Sequence, residues 1–312
     1  MGYFTRFVGL SFIIWPMRLA KFALLPLLLL LVACGANAAV TVTPSEPAVY
    51  YIENKGSDTL VNLALAWAER YQMEHPEVHI SVSGGGSGTG IAALVNGTVQ
   101  IANASRQIKP EELAEARANG IEPVEFVVAR DAIAVIVHPQ NPVSRLTLQQ
   151  VSDIYSGKIN NWAEVGGEDR PIVRLSRETN SGTHVYFLET VLRMGDKQNT
   201  TLFAMDTLLL PSSEGIVYEI RQNPNAIGYD GLGYVPPDLK TIAIARAEGE
   251  PYVLPSVETV NNGSYPIARD LYMYTPGQPV GAVRAYLDWI LSPEAQAIVA
   301  ELGFVPVATE SR

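Results

Sequence analysis

Hydrophobic positions along the chain switch repeatedly between alternation and helical spacing. Val49-Tyr50-Tyr51-Ile52 predicts a strand, and Leu60, Ala64, Trp67, Ala68 and Tyr71 follow at helical spacing until His75-Pro76 stops the helix. Val78-His79-Ile80-Ser81-Val82 alternates as a half-buried strand does. A glycine-rich run over 84–90 leads into a helical stretch over 91–95, then a short strand over 100–104 and a helix over 111–118 closed by Asn119-Gly120. Two strands are predicted over 125–128 and 132–137, then a helix over 148–155 capped by Thr147 and a turn carrying Trp162. Further on lie a strand over 172–175, an apolar helix over 184–192 and a helix over 214–222 capped by Ser213. They are followed by a strand over 226–229, a proline-rich irregular stretch over 251–266 and a strand over 269–274. An amphipathic helix over 280–291 and a last helix from Ser292-Pro293-Glu294 to Leu302-Gly303 end the pattern. Strands alternating with helices predict an α/β fold.

Three of the strand-to-helix junctions share a chemistry. Arg177-Glu178-Thr179-Asn180-Ser181-Gly182-Thr183, Gly56-Ser57-Asp58-Thr59 and Gly84-Gly85-Gly86-Ser87-Gly88-Thr89-Gly90 each place glycine, serine or threonine where a helix begins. The first turn of a helix has free N–H groups and the positive end of the dipole, which suits an anion. Ser181 sits at an N-cap, and Arg177 upstream adds a planar fork of donors matched to phosphate or carboxylate. One such heptapeptide alone reads as a capped helix beside a surface arginine. Three helix starts aimed at one point read as a cradle for a tetrahedral oxyanion.

Charge and leader sharpen this picture. Residues 1–33 form a basic start and an apolar run too short for a membrane span, which predicts a cleaved signal peptide. Leu31-Val32-Ala33-Cys34 resembles a lipobox, with the chain's only cysteine at the position that would be lipidated. The rival reading is ordinary cleavage after Ala36-Asn37-Ala38, and Met17 is a second candidate start. Residues 34–48 read as a tether. The leader holds three of the 22 basic residues and none of the 32 acidic ones, so the remaining 279 residues carry a formal charge of −13. A nucleic-acid binder would be basic. An acidic protein that binds an anion must do so with local donors. The glycine run lacks the Gly-Lys-Ser/Thr end of a P-loop and the spaced acidic partner of a dinucleotide fingerprint. The four histidines form no metal pattern, and no Gly-x-Ser-x-Gly elbow surrounds Ser181.

In order, Gly56-Ser57-Asp58-Thr59, Gly86-Ser87-Gly88, Ala104-Ser105-Arg106, Ile154-Tyr155-Ser156-Gly157-Lys158-Ile159-Asn160-Asn161-Trp162, Arg177 with Ser181-Gly182-Thr183, and Ala226-Ile227-Gly228-Tyr229 span most of the mature chain. This ordered set resembles the phosphate-binding proteins of bacterial phosphate ABC importers. The resemblance implies an α/β, two-lobe periplasmic-binding-protein-like fold (type II) with the ligand in the interlobe cleft and no cofactor or metal. Lobe one would comprise 49–128 and 249–312, and lobe two 129–248. Asp58 and Thr59 would offer backbone N–H groups, with hydroxyl help from Thr59 and Ser57. Ser87 would offer its hydroxyl with the N–H of Gly88, Arg177 charged hydrogen bonds, and Ser181, Gly182 and Thr183 the helix cradle, with Ser105 at the same site. Members of the family carry an aspartate at the position matching Ser105, and some pair the arginine with an aspartate matching Thr179. Neither is present here, so Asp58 is expected to accept the proton of hydrogen phosphate.

The implied partners are inorganic phosphate, ABC permease subunits and, through Cys34, a membrane, for an exported monomeric lipoprotein that is not an enzyme. Alternatives are a binder of another oxyanion such as sulfate, a phosphate sensor, and a phosphate-ester hydrolase. Lastly, Ala129-Arg130-Asp131 and Ala268-Arg269-Asp270 begin two strands that echo one another and would suit the crossings between lobes. Each Arg-Asp pair reads equally as a plain salt bridge.

Overall fold

The computed structural model describes residues 48–307. The expected leader over 1–33, Cys34 and nearly all of the tether lie outside the described residues. Among these residues no helix is long and apolar enough to cross a membrane.

Strands and helices alternate as expected. β1 (Tyr50–Gly56), α1 (Asp58–Glu74), β2 (Val78–Ser83), α2 (Ser87–Val95), β3 (Ile101–Ala104) and α3 (Pro110–Ala118) lead into the long β4 (Val124–Val137). β5 (Arg145–Thr147), α4 (Leu148–Tyr155), β6 (Val173–Arg177), α5 (Gly182–Phe187), β7 (Leu208–Leu210), α6 (Ser213–Gln222) and β8 (Ala226–Gly231) follow. β9 (Lys240–Thr241), β10 (Ala243–Ala245), α7 (Val257–Asn261), β11 (Ala268–Thr275), α8 (Gly281–Ile290) and α9 (Pro293–Glu301) complete the chain. The main sheet runs β2-β1-β3-β11-β4-β8-β6-β7, with β9 on β4, and β10 pairs β5 separately.

β4 is the spine of this sheet. Its first half pairs antiparallel with β11, and its second half, from Ile133, pairs with β8. The two strands expected over 125–128 and 132–137 are therefore one. Arg130-Asp131 does not break it because each side chain has a partner opposite: Asp131 faces Arg269 and Arg130 faces Asp270 in register. Along β11, Leu271 and Met273 bury on one sheet face and Tyr272 and Tyr274 on the other, the period-two alternation of a covered strand. Along β4, Ile133, Val135 and Val137 point into one core and Ala134 and Ile136 into another.

Two bodies result, each with its own core. Leu60, Leu63, Trp67 and Tyr71 of α1 pack with Leu271, Tyr286, Leu287 and Phe304. Trp162, Phe187, Tyr155 and Tyr229 pack with Ile133 and Val135. This is the two-lobe, type II α/β architecture that the resemblance implies. The stretch from Gly249, expected in lobe one, packs differently. Val260, Tyr265 and Ile267 bury in the core of Trp162, and Tyr265 Oη donates to Ile133 O at 2.6 Å.

Local signals set several boundaries. Thr147 caps α4 in a reciprocal capping box with Gln150. Ser212, one residue before the expected Ser213, caps α6. The helix expected over 184–192 is α5 followed by a π-helical turn, Leu188–Leu192, and the proline-rich stretch contains α7. Trp162 is fully buried, and its indole N–H donates to Asn225 O at 2.9 Å. We predict that Trp162→Ala lowers stability by ~3–5 kcal/mol, the usual cost of truncating a buried tryptophan. A urea midpoint equal to the parent's would contradict this packing.

Candidate anion-binding site

Four junctions converge between the bodies: the starts of α1, α2 and α5 and the end of β3. Ser57 is the N-cap residue of α1 and Asp58 its first residue, so Asp58 does not cap the helix. α2 begins inside the glycine run, with Gly86 at its N-cap at φ 89°, a conformation open to glycine. Ser181 caps α5, its Oγ accepting from the N–H of Thr183 at 3.2 Å and of His184 at 3.5 Å.

Donors from the two bodies meet face to face. Thr59 Oγ1 and Thr183 Oγ1 are 2.9 Å apart. Ser87 Oγ lies 3.2 Å from Ser105 Oγ and accepts from the Ser105 N–H at 2.9 Å. Gly182 stands directly against these two serines. A Cβ there would lie 2.6 Å from Ser105 Oγ and closer still to Ser87 Oγ. All of Ser57, Thr59, Ser87, Ser105, Ser181 and Thr183 are buried, and Ser57 Oγ has no partner among the described residues. Gly88 differs from expectation. Its N–H donates to Asn180 O at 3.0 Å, and Asn180 Nδ2 donates to Gly85 O at 2.9 Å, so Gly85 and Gly88 grip the opposite body while Ser87 between them faces the cradle.

Arg177 is buried at the end of β6. Nε donates to Leu210 O at 3.3 Å, Nη1 to Ser213 Oγ at 3.0 Å, and Nη2 to Asp58 Oδ2 at 2.7 Å and Pro211 O at 2.9 Å. A guanidinium has five N–H donors, so one Nη1 hydrogen remains. Asp58 is thus the counter-charge of Arg177 from the other body, and its second oxygen accepts from the Gly85 N–H at 2.8 Å. The carboxylate expected to wait for a phosphate proton is already engaged on both oxygens.

Two further carboxylates stand behind the hydroxyls. Asp230 Oδ1 accepts from Ser213 Oγ at 2.9 Å and the Gly231 N–H at 2.8 Å, which links it through Ser213 to Arg177. Burial pushes its carboxyl up, opposed by the Arg177 charge. Asp131 pairs with Arg269 at 3.1 Å with both side chains buried. Burial pushes Asp131 up to about 6, with Arg269 pulling it down. Asp131, Ser213, Asp230 and Arg269 escaped the sequence reading of the site. The echoed Arg-Asp pairs were the available signal for Asp131 and Arg269.

The chemistry of the arrangement is donation to a compact anion. It offers hydroxyls, first-turn N–H groups and one arginine. Among the described residues the cradle hydroxyls of Thr59, Thr183, Ser87 and Ser105 carry no carboxylate or histidine partner. Ser181 Oγ serves as a cap, and His184 Nδ1 faces Ser176 Oγ at 3.1 Å, with burial lowering the imidazole's pKa. Among the described residues no group of three His, Cys, Asp or Glu side chains is placed to hold a metal ion.

The PBP superfamily domain matches residues 41–294. The phosphate-binding protein PstS of Pseudomonas aeruginosa is 35% identical over 303 residues, covering 88% of this chain and 92% of that one. The phosphate-binding protein PstS of Bacillus subtilis is 32% identical over 253 residues, covering 81% and 79%. A Clostridium perfringens protein, described as a phosphate ABC transporter substrate-binding protein with bound phosphate, superposes with a TM-score of 0.74. It is 33% identical and covers 83% of this chain and 100% of that one. An ABC-type phosphate transport receptor from Vibrio cholerae gives a TM-score of 0.66 at 27% identity, covering 82% and 100%. With this match in sequence and fold, the chain belongs to the PstS family of substrate-binding proteins of bacterial phosphate ABC transporters.

Proposed function

We propose that this chain is an extracytoplasmic solute-binding protein that captures inorganic phosphate between its lobes and delivers it to an ABC permease. The observation that carries this reading is the meeting of Thr59, Ser87 and Ser105 from one lobe with Gly182 and Thr183 from the other, beside an arginine held across the cleft by Asp58. A small tetrahedral anion has acceptors on every side and satisfies donors arriving from both lobes at once. The bound phosphate of the Clostridium perfringens relative supports the choice of anion. Lobe one is 49–129 with 271–304 and lobe two 132–267, with the two Arg-Asp pairs at the crossing. Binding draws the lobes together about β4 and β11. The protein is a binder and not a catalyst: among the described residues the cradle hydroxyls of Thr59, Thr183, Ser87 and Ser105 bond one another, the Ser105 N–H and Arg269, with no carboxylate or histidine on them.

Calorimetry on ligand-stripped protein is expected to give one phosphate per chain. Arg177→Ala costs ~2–5 kcal/mol of phosphate affinity, the loss typical when one member of a buried charged pair is truncated. An unchanged dissociation constant would remove Arg177 from the site. Gly182→Ala weakens phosphate by about tenfold or more, ~1.4 kcal/mol, because its methyl group obstructs Ser87 and Ser105. Equal affinity would mean that the lobes do not meet at Gly182 when phosphate is bound.

The same reading includes the anchor. Cys34 carries lipid after cleavage at the lipobox and holds the protein on the membrane beside its permease. Mass spectrometry of the native N-terminus tests this. A lipid-modified Cys34 is expected, and an unmodified chain beginning at Ala39 would mean ordinary signal cleavage.

A further inference from the structure

The two echoed Arg-Asp pairs are alike in sequence and unlike in surroundings. Arg130 and Asp270 lie 3.8 Å apart with side chains 35% and 44% exposed, an ordinary surface pair of little energetic consequence. Arg269 and Asp131 are 2% and 0% exposed. A buried pair of this kind is poor at stabilising a fold, because desolvating both charges offsets their attraction. Its contacts give it another use.

Arg269 touches both lobes from the crossing strand. Its Nη1 donates to Ser105 O at 2.9 Å. Its Nη2 lies 2.9 Å from Thr183 Oγ1, 3.3 Å from Thr59 Oγ1 and 3.1 Å from Asp131 Oδ2. The guanidinium lies over the Tyr186 ring, 5.5 Å from its centroid. A hydroxyl has one proton and two lone pairs. Where arginine occupies a lone pair, the proton must point elsewhere. Thr59 Oγ1 and Thr183 Oγ1 lie 2.9 Å from each other, so one hydroxyl donates to the other; an anion oxygen entering between them takes that proton, and with arginine on a lone pair of each, both hydroxyls then donate to the anion.

We propose that Arg269 is a positioning residue of the anion site: it turns the Thr59 and Thr183 hydroxyls, one from each lobe, into donors towards the anion and couples their meeting to the lobe crossing. Asp131 neutralises the guanidinium so that it acts through the hydroxyls without itself drawing the anion out of the cradle. The proposal rests on the phosphate reading above, and it adds a second arginine to a site in which Arg177 is the direct donor.

Calorimetry with inorganic phosphate tests it on the parent, Arg269→Gln, Arg269→Lys, Thr183→Val and the Arg269→Lys/Thr183→Val double variant. Failure of the parent to bind phosphate would overturn the functional reading itself. Given parental binding, Arg269→Gln is expected to lose about tenfold or more in affinity. Arg269→Lys keeps a buried cation opposite Asp131 and is the informative variant if the glutamine protein does not fold. It is expected to lose several-fold, since a point charge cannot hold Ser105 O and both hydroxyls together. The decisive readout is coupling. Thr183→Val should weaken phosphate strongly in the parent and much less in the Arg269→Lys background. Parental affinity in Arg269→Lys, or fully multiplicative losses in the double variant, would overturn the proposal and leave Arg269 a structural ion pair.

Discussion

Buried donors must find acceptors, and the cleft of this protein collects more donors than its own chain satisfies. The Thr59 and Thr183 hydroxyls, one from each lobe, lie within hydrogen-bond distance, Ser87 and Ser105 of lobe one stand against Gly182 of lobe two, and all five residues are buried. A buried donor without an acceptor costs on the order of 1–3 kcal/mol. The two faces therefore favour closure only around something rich in acceptors. A tetrahedral oxyanion meets that requirement, whereas a neutral or larger ligand would leave donors unpaired or meet Ser87 and Ser105 where Gly182 already stands. The fold serves this constraint: β4 and β11 run through both bodies, so the faces meet in one register.

Electrostatics follow the same logic at short range. A chain with a net formal charge of −10 attracts anions poorly as a whole. Near the site, each buried arginine has a carboxylate from another element: Asp58 for Arg177 and Asp131 for Arg269. The cations are thereby held in fixed positions at tolerable cost, and the anion is met mainly by neutral dipoles. Asp58 has a second role in this arrangement. Because it comes from lobe one and Arg177 from lobe two, their contact is made as the lobes come together.

Much of the site was legible because its signals are local. Ser181 reads as a cap from the residues around it, and the recurrence of glycine, serine and threonine before three helices marks the converging turns. Features that depend on long-range pairing were hidden. Nothing near Gly88 announces that Asn180, far along the chain, takes its N–H. The run over 125–137 looks like two strands because Arg130-Asp131 interrupts its apolar pattern, and only the partners on β11 explain why no break occurs. The stretch after Gly249 looks irregular, and its allegiance to the core of Trp162 is decided by Val260, Tyr265 and Ile267 meeting residues distant in sequence. Asp58 next to a helix start suggests a cap, yet its carboxylate reaches Gly85 and Arg177.

The central claim is that phosphate satisfies the first-turn donors of α1 and α5 simultaneously. Amide hydrogen exchange resolved at Asp58, Thr59 and Gly182 measures it directly, with and without saturating phosphate. All three amides should become strongly protected together on adding phosphate. Protection confined to one lobe, or none at these three amides under saturating phosphate, would contradict the account.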